Sequence, residues 1–194
     1  MTLERELLIT GIGGQGVQLC AQVLARAATL EGRAVMYLGL YGGMMRGGNT
    51  DSTVVIGDGP IEAPPVVSRA WSSIAMHDEY WPPVEAKLRP DGLVLVNDAT
   101  FTAEIHAPVT VHRVPATNVA ADLGNPLGGS MVMLGAYAAI TGIVALDALL
   151  EGMRASIPPY RTQHIEANER ALRAGWELLP EHAFPAWERS AAHA

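Results

Sequence analysis

The sequence predicts an α/β protein: a Rossmann-like, doubly wound, mostly parallel sheet with helices on both faces and a helical C-terminal part. Three observations predict this class. Short apolar runs alternate with amphipathic segments, glycines and prolines separate them, and 194 residues suffice for one buried core but are few for two. Apolar runs without polar alternation are typical of strands covered on both faces. We therefore expect one domain over residues 1–180 and a tail over 181–194.

The strands are expected in the first part of the chain, where short apolar runs lie between turn-forming residues. Turn signals such as Pro90-Asp91-Gly92 separate these runs. The order of the strands within the sheet is not readable from this pattern. The expected strands are residues 7–10, 34–38, 52–56, 71–76, 93–97 and 109–114.

Apolar residues at helical spacing predict the helices. In the first helix Val17, Cys20, Ala21, Leu24 and Ala28 fall on one face. A second helix is expected to be interrupted by adjacent prolines, and from residue 116 onward the chain is expected to be mainly helical. The expected helices are residues 17–30, 79–88, 117–123, 129–142, 145–156 and 163–178.

The composition excludes several classes of protein. A net charge of −7 without a basic cluster argues against a nucleic-acid partner. The single cysteine, Cys20, excludes disulfide stapling and an iron–sulfur cluster held by this chain alone. The charged N-terminus does not resemble a signal peptide, and the apolar stretch 131–150 contains glycines and Asp147, which favours buried helices over a membrane span. We expect a soluble, cytoplasmic protein.

The first glycine-rich motif lies between a predicted strand and a predicted helix. Gly11, Gly13 and Gly16 match the pattern G-x-G-x-x-G, with Gly14 and Gln15 between them. Such glycines permit a tight turn and close approach of the backbone to a diphosphate, which the helix N-terminus then attracts. The Gln15 amide is a further candidate contact to a phosphate, a ligand carbonyl or a neighbouring subunit. Close packing of the helix on the strand is the alternative explanation of the glycines.

A nicotinamide or FAD site would require an acidic residue at the end of the second strand, to bind the ribose hydroxyls. That strand ends Tyr37-Leu38-Gly39-Leu40-Tyr41, without Asp or Glu. A stand-alone NAD(P)- or flavin-binding reductase is therefore the weaker interpretation. A phosphate-binding loop whose ribose is bound elsewhere fits the pattern better.

The second glycine-rich segment places one guanidinium among small residues. Arg46 precedes Gly47, Gly48 and Asn49, and an arginine suits bidentate contact with a phosphate or carboxylate. A solvated surface loop is the alternative. No G-x-S-x-G motif and no histidine spacing typical of a zinc site is present, and His164 with Glu166 is interpreted as a solvated helix face. We expect no catalytic and no metal-binding residues.

Three segments together, residues 11–17, 41–48 and 125–136, resemble the gamma subunit of the 2-oxoacid:acceptor oxidoreductases. The segment 168–175 is similar to the last helix of that family, and the likeness extends from about residue 5 to 178. These thiamine-dependent enzymes act on pyruvate, 2-oxoisovalerate, 2-oxoglutarate, indolepyruvate or phenylglyoxylate. The pairing of G-x-G-G-Q-G with R-G-G is more specific than either motif alone.

The resemblance implies a non-catalytic subunit of an enzyme that converts a 2-oxoacid to an acyl-CoA. Thiamine diphosphate and [4Fe-4S] clusters would lie in alpha, beta and ferredoxin-like (delta) subunits, and coenzyme A would bind at the border of this chain. Neither the 2-oxoacid nor the final acceptor, ferredoxin or NAD, is readable, and a pure scaffold with an empty glycine loop is a further alternative. The candidate coenzyme-binding residues are Gly11, Gly13, Gly14, Gln15, Gly16, Arg46, Gly47, Gly48 and Asn49.

Two departures from the family pattern and the tail leave further questions open. Many relatives have an acidic residue in place of Met44 and an asparagine in place of Ser130, and the change at Met44 weakly favours an aromatic 2-oxoacid. The tail, with Phe184 and Trp187, is interpreted either as a frayed end or as an arm that docks on a partner subunit.

Overall fold

Six strands form one sheet in a computed structural model that describes residues 2–41, 47–62 and 66–187. Arg46 and Met44 lie outside these residues. The strand order is β2-β3-β1-β4-β5-β6. The strands are β1 (Glu4–Ile12), β2 (Ala34–Tyr41), β3 (Asn49–Gly57), β4 (Ala70–Ala75), β5 (Leu88–Asn97) and β6 (Thr110–Val114).

The sheet is parallel except for β3, which pairs antiparallel with both β2 and β1. The connection from Tyr41 to Asn49 is too short for a crossover helix, so β3 must return beside β2 as a hairpin. Five of the strands keep a common direction, because longer segments connect them. The mostly parallel α/β class predicted from the sequence is confirmed.

The helices agree with the predicted pattern at most positions. The predicted helix over 79–88 is wrong in extent, because Leu88 already pairs with Ala70 of β4 and only a single turn remains before it. A 3₁₀ segment, Pro159–His164, connects the last two helices. The α-helices are α1 (Val17–Leu30), α2 (Pro82–Glu85), α3 (Ala116–Asp122), α4 (Gly129–Thr141), α5 (Leu146–Ser156) and α6 (Ile165–Trp176).

The two faces of the sheet bury cores of different size. The larger core joins the face that carries Leu7 and Ile9 to α1, α4, α5 and α6, and all 13 residues of α4 are buried. The smaller core lies on the opposite face under α2 and the chain that follows β5, where the rings of Trp81 and Phe101 meet edge to face at 5.3 Å. No helix in the described ranges combines the length and apolarity needed to cross a membrane.

Helices α4 and α6 pack backbone against backbone. A Cβ atom added at Gly175 would overlap the carbonyl oxygen of Val132, and one added at Gly135 would overlap that of Leu172. Glycine is required at both positions because the obstacle is main chain, which cannot rotate aside as a side chain can. This close approach sets the position of α6.

The described part of the tail, residues 181–187, is fastened to its own chain. The N–H groups of His182, Phe184 and Ala186 donate to the last carbonyl groups of α4, at 2.9, 2.9 and 2.7 Å. The Trp187 Nε1 atom donates to the Ile143 carbonyl at 3.1 Å, and the Arg33 guanidinium lies 3.8 Å from the Trp187 ring centroid. The tail thus supplies donors that the end of a buried helix otherwise lacks. Docking of this tail on a partner subunit stays a prediction.

Replacing Gly175 with alanine should lower the free energy of unfolding by about 3 kcal/mol, because the added methyl group collides with the α4 backbone. Gly129→Ala is the matched control, since its Cβ would meet no atom closer than 3.7 Å. It should change stability by less than about 1 kcal/mol. Urea denaturation measures both variants, and equal losses would contradict the backbone contact between α4 and α6.

Replacing Trp187 with alanine should cost about 2 kcal/mol, less than a fully buried aromatic residue, because the ring is half-buried against Arg33 and the core. Tyr160→Ala is the control, because that ring is 74% exposed and should contribute less than about 0.5 kcal/mol. Thermal and urea unfolding report the difference. Indistinguishable stabilities of Trp187→Ala and the parent would show that the tail is not held in place.

Candidate functional site

The two glycine-rich segments meet at the carboxyl end of β1. The pairing of β1 with β3 ends at Ile12 and Asn49, so the residues that follow one strand and precede the other are adjacent. The Gly13 N–H group donates to the Gly48 carbonyl at 2.9 Å. Two motifs separated by more than thirty positions in the sequence therefore form one surface, while Arg46 lies outside the described residues.

The glycines of the first motif are explained largely by neighbouring protein atoms. A Cβ at Gly13 would lie 3.2 Å from the Gly47 nitrogen, so a larger side chain would push the two loops apart. Gly16 precedes α1 in the left-handed region, with φ of 77°, and its Cβ would overlap Ser130 Oγ. At Gly14, in contrast, no described atom lies within 4 Å of the Cβ position, so this residue faces open space.

Gln15 holds the loop from behind. Its Oε1 atom accepts a hydrogen bond from the Ile12 N–H group at 2.9 Å, and its Nε2 atom donates to the Met76 carbonyl at 3.2 Å. A Cβ at Gly11 would lie 2.7 Å from the same Oε1 atom. Gly11 and Gln15 thus shape the loop, and neither lines the cleft in front of it.

A cleft of about 790 Å³ opens in front of the loops. One wall contains the two glycine segments and the start of α1, and the opposite wall contains the end of α5, the 3₁₀ segment and the start of α6. The loop before α4 closes one side. Of the candidate residues, those that line the cleft are Gly13, Gly14, Gly16, Gly47, Gly48 and Asn49.

The start of α1 and the Arg161 guanidinium bring positive charge to opposite walls of the cleft. The first N–H groups of α1 have no acceptor within the helix and no side-chain cap, and they carry the positive end of the helix dipole. Arg161 and His164 lie on the opposite wall. Among the described residues Arg161 has no acidic partner, and its guanidinium lies 5.5 Å from the Tyr160 ring centroid. The cleft therefore suits an anion.

The opposite wall was not found by the sequence reasoning. His164 is exposed, as its interpretation as a solvated residue predicts, and it also lines the cleft. Asn125 and Asn168 also line the cleft, and the Asn125 Nδ2 atom donates to Asn168 Oδ1 at 3.4 Å. These asparagines begin two of the segments that carry the family resemblance. The position of these two asparagines in the resembling segments was the feature of the sequence that could have identified the opposite wall.

Other reactive side chains have structural roles. Asp78 accepts hydrogen bonds from the N–H and hydroxyl groups of Thr102 and from the Ala103 N–H group, which lower the pKa of its carboxyl group. Burial raises the pKa of the Cys20 thiol to about 12, so the thiol stays protonated. Over the described ranges, no three His, Cys, Asp or Glu side chains are grouped as metal ligands.

Comparisons with known proteins agree with the fold. Residues 6–178 match the family model described as pyruvate ferredoxin/flavodoxin oxidoreductase. The 2-oxoglutarate synthase subunit KorC of Methanothermobacter thermautotrophicus is 34% identical, over 92% of this chain and 97% of the relative.

Two solved structures share the architecture. The gamma subunit of a keto/oxoacid ferredoxin oxidoreductase from Geobacter sulfurreducens is 28% identical, with a TM-score of 0.78 over 90% of this chain and 95% of that one. A 2-oxoglutarate:ferredoxin oxidoreductase from Magnetococcus marinus, with 2-oxoglutarate, coenzyme A and succinyl-CoA bound, shares the fold at 17% identity. Its TM-score is 0.79, over 90% of this chain and 30% of that one.

These matches agree with the resemblance carried by the glycine motifs. The alternative of a stand-alone NAD(P)- or flavin-binding reductase finds no support among the relatives. The chain belongs to the pyruvate ferredoxin/flavodoxin oxidoreductase family, as a gamma-type subunit of a multi-subunit 2-oxoacid oxidoreductase.

Proposed function

We propose that this subunit supplies one wall of the coenzyme A site in a thiamine-dependent 2-oxoacid oxidoreductase. The observation that carries the proposal is the cleft of about 790 Å³ between the start of α1 and the cationic 3₁₀ segment. Such a volume is typical of sites for small molecules and cofactors. The Magnetococcus marinus enzyme, which shares the fold, is described with coenzyme A bound.

The chemistry of the walls suits the phosphates of coenzyme A. Backbone N–H groups at the start of a helix bind phosphate oxygens, and the open space at Gly14 lets a phosphate approach the main chain. Arg161 supplies a guanidinium from the other side, suited to bidentate contact with a phosphate. Gly47, Gly48 and the Asn49 side chain extend the same wall. Arg46, which precedes Gly47 in the sequence, remains part of the proposed site.

An apolar side chain at the rim fits the remaining parts of coenzyme A. Leu127 lines the cleft and is 80% exposed. An adenine ring or a pantetheine chain packed on this leucine would remove apolar surface from water. The cleft thus combines a phosphate-binding end with an apolar rim, which matches the two kinds of surface that the coenzyme presents.

The proposed division of labour leaves the redox chemistry to sister subunits. Alpha, beta and ferredoxin-like (delta) subunits would hold thiamine diphosphate and [4Fe-4S] clusters in a cytoplasmic complex. The 2-oxoacid would lose CO₂, its acyl group would pass to the coenzyme A thiol, and two electrons would pass to the acceptor. This chain would bind and orient coenzyme A, without a redox centre of its own.

Replacing Arg161 with alanine in the assembled complex should raise the KM for coenzyme A roughly tenfold, which corresponds to about 1.4 kcal/mol for a charged contact to phosphate. The KM for the 2-oxoacid should stay unchanged, because the proposed contact of Arg161 is with the coenzyme and not with the 2-oxoacid. Initial rates with a dye acceptor, at varied concentrations of each substrate, separate the two constants.

Arg170→Ala is the matched control. Arg170 is likewise exposed, lies on α6 outside the cleft lining and pairs with Glu166 at 2.9 Å. Both substitutions remove one arginine, so they change the net charge by the same amount. It should leave both KM values unchanged. Equal KM values for coenzyme A in Arg161→Ala and the parent complex would favour the scaffold alternative. Gly13→Val is a poor substitute for this test, since its side chain meets Gly47 with or without a ligand.

A further inference from the structure

The two edges of the sheet differ in how they are protected. Strand β2 ends the sheet on one side, and among the described residues no strand pairs with its outer edge. Its eight residues, AVMYLGLY, include no charge and no proline. Alternate residues of such an edge direct their N–H and C=O groups outward, where another strand can bind them.

The opposite edge has the usual devices against strand pairing. Strand β6 is only five residues long and lies between Pro108 and Pro115. It carries Arg113, whose guanidinium donates to Asp98 at 3.2 Å. Short length, charge and flanking prolines discourage edge-to-edge association, and β2 has none of them. The contrast indicates that β2 is covered in the assembled protein.

An apolar groove runs beside the unprotected edge. It has a volume of about 540 Å³, lies between α1, β2 and α5, and includes Ala25, Leu30, Val35 and Tyr37. Leu30 is 57% exposed, and Leu40 at the end of β2 is 52% exposed. Exposed apolar side chains beside an open strand edge extend the area that a partner would bury.

We propose that a second copy of this chain covers the edge, with the two β2 strands paired antiparallel across a two-fold axis. The pairing would join two six-stranded sheets into one and form about eight backbone hydrogen bonds, from four outward-facing residues on each strand. Because β2 contains no charged residue, the pairing places no two like charges opposite each other.

The charges beside the groove favour this occupant over an unrelated strand. Arg26 and Glu151 both line the groove, and Arg26 has no acidic partner within the described part of the chain. Glu151 is 60% exposed and pairs with Arg154 of its own helix at 3.6 Å through Oε2, which leaves Oε1 for a second cation. In the proposed dimer, the two-fold axis brings the two grooves together. Arg26 of each copy then faces the groove that contains Glu151 of the other copy. The groove is thus self-complementary in charge, as an isologous interface requires.

Sedimentation of the full chain over a range of concentrations tests the proposal. We expect a dimer, and Leu40→Lys and Leu30→Lys should each raise its dissociation constant at least ~10-fold, because a charge is placed in the interface. Both side chains are more than half exposed, so the fold of each protomer should survive, which circular dichroism checks. Val111→Lys on β6 is the matched control, since Val111 is a 39% exposed apolar residue at the other edge. It should leave association unchanged.

Hydrogen exchange gives a second readout without a substitution. Amides of β2 should exchange more slowly as the concentration rises, while those of β6 should not. The proposal is overturned by a chain that stays monomeric with concentration-independent exchange in β2. It is overturned equally if β2 becomes protected only when sister subunits are added, which would assign the edge to one of them.

Discussion

Burial of α4 on every side is the constraint on which the rest of this structure depends. All 13 of its residues are buried, so each neighbouring element must fit its backbone or satisfy its ends. Its carboxyl end receives hydrogen bonds from residues 181–187, its middle admits α6 through glycine contacts, and Ser130 near its start lies against Gly16. This apolar helix therefore positions residues 181–187, the first glycine segment and α6, which follows the 3₁₀ segment.

The residues of the first glycine segment can be required for packing within the protein or for binding a ligand. Most of them are explained by packing. Gly13 allows the second loop to approach, and Gln15 forms hydrogen bonds with two main-chain groups. Gly16 has a positive φ and packs against Ser130, where a side chain would collide. Within this loop, Gly14 alone has no described atom within 4 Å of its Cβ position. A glycine-rich strand–helix turn is thus poor evidence for a particular ligand, since packing alone explains much of the pattern. The cationic groups around it carry more information about what binds.

A charge-poor composition has a local explanation in this fold. Charged residues make up 17% of the chain, and an entire edge strand together with the groove beside it contains few of them. The chain is a gamma-type subunit of a larger enzyme. The outer edge of β2 and the groove beside it, which contain few charged residues that would prevent association, are therefore available for contacts with other subunits. The cleft differs, because it gathers donors and cations around an open volume.

The sequence by itself determined the α/β class, the limits of α1 at residues 17 and 30, and the alternation of strands with helices, because local periodicity and turn residues decide these features. It also identified the two glycine segments of the cleft. Only the tertiary structure decided the antiparallel direction of β3, the place of residues 181–187 and the approach of Arg161 and His164 to the loop. Those features depend on contacts between residues far apart in the chain, which no local pattern encodes.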